Sequence, residues 1–186
     1  MLSPTLGSIE SLYGKLEREA YRAIHSASKV HQADHFFNFC VTAHAMRDYF
    51  LERIGKTARS ERREYHEEWR NHPLLIAVGE IANSSKHFVL RYPSGLPKAP
   101  KTRNVSARKS SVIDIYAASD GRLVIKRRPA PTIEVTLEDG RRFALHAFMR
   151  DVLAFWREFL PAHSIKVGRQ SLAQLQGRTS KSKMDR

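Results

Sequence analysis

The chain has a single cysteine, Cys40, set in the apolar run of Phe36, Phe37, Phe39 and Val41. One thiol excludes an internal disulfide and any multi-cysteine zinc site, and a thiol among phenylalanines reads as a buried, inert group rather than a nucleophile. There is no apolar run of about 18 residues, and the start, Met1-Leu2-Ser3-Pro4, lacks the basic and apolar segments of a secretory signal. The expectation is a soluble, cytoplasmic protein with no membrane contact. A Gly-rich phosphate loop, Gly-x-Ser-x-Gly and His-Glu-x-x-His are all missing, which removes the commonest nucleotide, hydrolase and metalloprotease signatures. No cofactor and no metal are expected. Acids are scarce: 19 Asp+Glu stand against 32 Lys+Arg in 186 residues, a formal net charge of +13.

That charge is unevenly placed. Between 91 and 113 lie Arg91, Lys98, Lys101, Arg103, Arg108 and Lys109 with no acid, and between 164 and 186 lie Lys166, Arg169, Arg178, Lys181, Lys183 and Arg186 with Asp185 alone. These two stretches hold nearly all of the excess. The first is rich in proline near its start and the second ends in Gly, Ser, Thr and Lys, so 91–110 reads as a flexible basic loop and 164–186 as a disordered basic tail. Flexible cationic segments on a nearly neutral body suit a polyanion, because each Lys or Arg that meets a phosphate releases condensed counterions. Nucleic acid, RNA or DNA, is the partner class this predicts.

A chain of this length with 41% hydrophobic residues can fill a core and remove roughly 70% of its unfolded surface from water. Apolar residues recur at helical steps over 8–26, 32–54 (closed by Gly55), 73–86 (opened by Pro73) and 146–160 (closed by Pro161), with a short charged helix over 60–70 pinned by Tyr65 and Trp69. Between 111 and 145 the period drops to two, and Asp120-Gly121 and Asp139-Gly140 are hairpin turn signals. The fold class expected is α+β, mainly α: four to five helices, with a three- to four-stranded antiparallel meander inserted before the last helix. Residues 1–163 form one domain on this reading.

On the second helix Asp34, Asn38 and Thr42 follow one another at four-residue steps, and His44 and Asp48 form a second such pair. Polar groups on so apolar a helix need partners, since burying one alone costs ~1–3 kcal/mol. The fourth helix ends in polar residues that could supply them. Paired with Asn83, Lys86 and His87, they make either a buried network that fixes the helix pairing or a cleft. In the cleft His87 would serve as acid or base, Lys86 would neutralise a phosphate, and Asn83 with Asp34 or Asp48 would orient them. His31 and His35 share a face with metal-ligand spacing, with Asp34 beside them, but no Glu-x-x-His partner appears on another helix. Phe155, Trp156 and Phe159, at helical spacing, read as core rather than as a base-stacking platform.

This polar-rich helical pair, closed by a histidine, resembles the HEPN superfamily over roughly residues 8–90. The resemblance implies a helical bundle from bacterial defence, toxin-antitoxin or mobile-element systems, many of whose members are metal-independent ribonucleases. The family motif is an arginine followed by a histidine after four to six residues. His87 would stand as that histidine, with Asn83 the nearest polar group where the arginine is sought. Arg141 to His146 and Arg157 to His163 have the spacing, the first on an expected strand and the second across Pro161. Three functions are therefore carried forward. One is a protein that binds nucleic acid through phosphates without reading sequence, another is a HEPN-like ribonuclease, and the last is a homodimer formed through the third helix or a free edge of the meander.

Overall fold

The computed structural model describes residues 6–84, 100–117 and 120–168, without the side chains at 112, 114, 116, 128 and 130. In chain order the elements are α1 (Ile9–His25), α2 (Lys29–Arg53), α3 (Arg63–Asn71), α4 (Pro73–Ser84), β1 (Thr102–Ala117), β2 (Leu123–Leu137), β3 (Arg142–Ala144) and α5 (Leu145–Ala162). The class is α+β, mainly α, with the antiparallel sheet placed before the last helix. No described helix is long and apolar enough to cross a membrane.

Local chemistry sets most element ends. Ser8 caps α1 through a reciprocal pair of bonds with Ser11, which satisfies amides that have no partner within the helix. Ser28 caps α2 by a single bond, its hydroxyl accepting from His31 N, so α2 starts at Lys29 rather than at the expected 32. Gly55, Gly121 and Gly140 take φ values of 71°, 80° and 86°, a conformation that suits glycine and that the turns after α2, between β1 and β2, and before β3 require. Pro161 does not stop α5, which runs on to Ala162. Only one turn remains beyond it, closed by His163 N to Leu160 O and Ser164 N to Pro161 O.

Helices from both ends of the chain share one core. The α2 helix packs on α1 and α4 and touches β2, while α5 touches α1, α4, β2 and β3. Phe50 of α2 sits among rings from α3 and α5, at centroid distances of 4.8 Å to Phe159, 4.9 Å to His163, 5.2 Å to Tyr65 and 6.1 Å to Trp69. Trp69 and Trp156 are themselves fully buried; Trp156 is core, as its spacing implied. Buried polar groups are tied between helices: Glu19 of α1 lies 2.8 Å from His35 Nδ1 of α2, besides pairing at 3.2 Å with Arg22 of its own helix, and Glu17 lies 3.6 Å from Arg157 of α5.

The sheet order is β1-β2-β3. Ile133, Val135 and Leu137 of β2 face inward and are buried, alternating with half-exposed Thr132, Glu134 and Thr136. Two sequence expectations change here. The meander begins at Thr102, not 111, so 102–110 is strand rather than flexible loop: Asn104 to Ala117 pairs residue by residue with β2. Its Ser, Arg and Lys content masked the signal, because such residues suit an edge strand that must stay soluble. At the other end, residues 164–168 belong to the body. After a turn at Ser164 (φ 63°), Ile165 is buried and Val167 packs on the core.

Phe50→Ala removes the ring on which α3 and α5 meet. It should cost about 3–5 kcal/mol, read as a shift of the urea unfolding midpoint with an unchanged slope.

Candidate nucleic-acid interface

The β1–β2 hairpin is much longer than the body that covers it. Its strands run for 16 and 15 residues, but the inward face is buried only at Ile133, Val135 and Leu137. The helices let go at Pro131, whose carbonyl accepts a 3.2 Å bond from Gln32 of α2. Beyond that point Ile113 pairs with Arg127, Ile115 with Ile125 and Ala117 with Leu123. Directly opposed residues share a face and successive ones alternate. The face that is core at Ile133 therefore continues outward as Ile113, Ile115, Leu123 and Ile125, which are 53%, 63%, 75% and 69% exposed. The result is a two-stranded arm with an uncovered face that is apolar toward its tip and carries Arg127 and Lys109 nearer the body.

The arm is also cationic. Its strands carry Arg103, Arg108, Lys109, Lys126, Arg127 and Arg128 against Asp114 and Glu134. Arg108 is held by Glu134 at 2.8 Å across the strands, whereas Lys109, Lys126 and Arg127 are exposed. Where arm and body part, Lys29 of α2, Lys109, Ser110, Pro129 and Pro131 line an open groove of about 300 Å³. At the tip Arg122 Nε lies 2.7 Å from Asp120, which closes the turn. Hydrogen bonds from Arg122 hold the Asp120 carboxyl below its usual range.

Of the basic residues singled out in the sequence, Arg103, Arg108 and Lys109 lie on β1. Lys101 just precedes the strand, its carbonyl accepting a 2.8 Å bond from Glu138 N. Lys166 is exposed between the packed Ile165 and Val167. Arg91, Lys98, Arg169, Arg178, Lys181 and Lys183 lie outside the described residues. Sequence reasoning missed Lys126, Arg127 and Arg128 as partners of the basic stretch. The Asp120-Gly121 turn signalled the hairpin, but placing the start of β1 at 111 kept its basic half out of register with them.

The expected polar cleft is described only in part. Lys86 and His87 lie outside the described residues. Asp34 and Asn38 are exposed, and Thr42 turns toward α1, where it accepts a 2.6 Å bond from Lys15 Nζ and donates at 2.7 Å to Asn38 O. Among the described residues no hydrogen bond joins half-buried Asn83 to Asp34 or Asp48. Four-residue spacing defined the stripe but could not say which neighbouring helix it faces. His44 does meet α4: a Cβ added at Gly79 would lie 3.3 Å from its Nδ1. Of the arginine–histidine pairs, Arg141 is bound to Asp139 at 2.6 Å, and His163 is packed on the rings around Phe50 while Arg157 reaches toward Glu17. Cys40 is fully buried, and burial pushes its thiol well above the usual range. Among the described residues no three His, Cys, Asp or Glu converge to hold a metal.

Asp48 is exposed on the side of α2 that carries Arg47. The Arg47 guanidinium lies 5.6 Å from the Trp69 ring centroid and donates at 2.6 Å to Leu75 O; burial pulls its pKa down to about 10. His66 and His72 are both held below the usual histidine range, first by burial and then by the Arg47 charge. Each is neutral in the fold at pH 7. Below pH about 6.5 the unfolded chain takes up protons that the folded one resists, so these two groups reduce stability as pH falls. Thermal unfolding should show a midpoint that drops between pH 7 and 5.5, and His72→Asn should make the drop smaller.

Comparisons with protein-family models, with curated proteins and with solved structures found no match.

Proposed function

We propose that this protein binds nucleic acid, RNA or DNA, mainly through its phosphates and without base readout. One observation carries the reading: a long two-stranded arm outruns the helices, with exposed cations along it and a lysine-lined groove at its root. A β-ribbon of this shape fits against a nucleic-acid backbone, where lysine and arginine replace counterions. Its exposed isoleucines and leucine would give apolar contact to sugars and base faces that polar strands would lack. Lysine and arginine that meet phosphates attract any backbone alike, which is why no sequence readout is assigned.

Self-association is a second reading, favoured by the same uncovered face of Ile113, Ile115, Leu123 and Ile125. Light scattering separates the two. A monomer supports the leading reading, and a dimer that Ile115→Lys dissociates favours the second. The HEPN-like ribonuclease rests on His87 and on the resemblance alone, and would appear as metal-independent RNA cleavage lost in His87→Ala.

Affinity for a random-sequence oligonucleotide should fall steeply with salt. The combined variant Lys109→Gln, Lys126→Gln, Arg127→Gln should lower the slope of log K against log salt by roughly 3, and an unchanged slope would sink the assignment to the arm.

A further inference from the structure

The two faces of the arm differ in charge. Cross-strand register sets Lys109 against Pro131 and Ile113 against Arg127, all on the face that is core at Ile133. From Val105 to Ala117 and from Leu123 to Leu137 no Asp or Glu occupies a position on this face. The acids of the two strands, Asp114 and Glu134, fall at positions of the opposite face, where Glu134 holds Arg108 at 2.8 Å. At the root of the acid-free face, Lys29 of α2 joins Lys109, Ser110, Pro129 and Pro131 in lining the groove of about 300 Å³. Lys29 and Lys109 are exposed, and no ion pair joins either to a described residue. The nearest acid of α2, Asp34, follows Lys29 by five residues and so lies on another side of the helix.

The groove floor cannot extend the sheet. Pro131 O accepts from Gln32 Nε2 of α2 at 3.2 Å, so its backbone faces away from β1, and Pro129, two residues away, faces the same direction. Neither has an N–H to give a further strand. A peptide strand is thereby disfavoured as an occupant, whereas the pyrrolidine rings offer apolar contact to a planar base.

We propose that the groove and the inner face of the arm hold a single nucleic-acid strand in preference to a duplex, with a phosphate on Lys29 and Lys109 and unstacked bases on Pro129, Pro131 and the isoleucines toward the tip. This rests on the nucleic-acid reading of the arm and narrows it. A single strand can turn its bases out onto an apolar surface, and such contact tolerates any sequence because every base has a flat face. A duplex keeps its bases stacked and presents phosphates and base edges, which leaves the isoleucines bare. Charge alone favours the duplex, whose phosphates are denser, so a preference for the single strand reports the apolar face and not the lysines.

The test compares, by fluorescence anisotropy, a mixed-sequence DNA strand, the same strand annealed to its complement, and an abasic strand of equal length. At fixed salt the natural strand should bind roughly tenfold more tightly than the abasic one and more tightly than the duplex. Lys29→Gln, its fold checked by circular dichroism, should lower the salt slope for the strand by about 1 and leave the slope for the duplex unchanged. A duplex bound as tightly as the strand, an abasic strand bound as tightly as the natural one, or a strand slope unchanged in Lys29→Gln overturns this inference and leaves the nucleic-acid reading standing. No binding to any of the three at low salt overturns both.

Discussion

The ring of Phe50 is where the two ends of the chain are joined. It belongs to α2, and the rings around it come from α3, α5 and the first residue past α5. Offset and edge-on aromatic packing of this kind adds to the burial of large apolar area. Its consequence reaches beyond the core. The α5 helix, seated there, covers the inner face of β2 together with α2, and so fixes both the angle at which the sheet leaves the body and the point where cover ends. Ile165, returning after α5, seals the same end.

From that constraint the arm follows. Strands of 16 and 15 residues pair along nearly their whole length, although the helices support only the inner residues of β2. A two-stranded ribbon without a covered face is of marginal stability by itself. The body anchors one end through Val135 and Ile133, and the outer half must draw on its cross-strand pairs and on whatever it meets. Its isoleucines cost solubility when bare, and the neighbouring lysines and arginines offset that cost. The same residues would carry the attraction for polyanions proposed for the arm, so that solubility and binding would arise from one pattern of charge.

How far this could be foreseen depended on how local each signal is. Ser8, Gly55, Pro73 and the two Asp-Gly turns act on adjacent backbone, and the ends they imply agree with the elements to within a few residues. The apolar period gave the core of α1, α4 and α5. The first half of β1 was not legible, because serine and arginine on an edge strand resemble a basic loop until a partner strand is present. Nor was the burial of Ile165, a lone apolar residue in a polar tail. The polar stripe on α2 shows the same limit: its spacing put Thr42 on one face but could not say that it would meet Lys15 of α1.

The arm is the surface proposed to meet nucleic acid. Photo-cross-linking a random-sequence oligonucleotide to the full chain and mapping the modified peptides tests this most directly. Adducts concentrated between 103 and 128 are expected, and they should fade as salt is raised. Adducts confined to the helices, with the hairpin peptides unmodified at low salt, would contradict it.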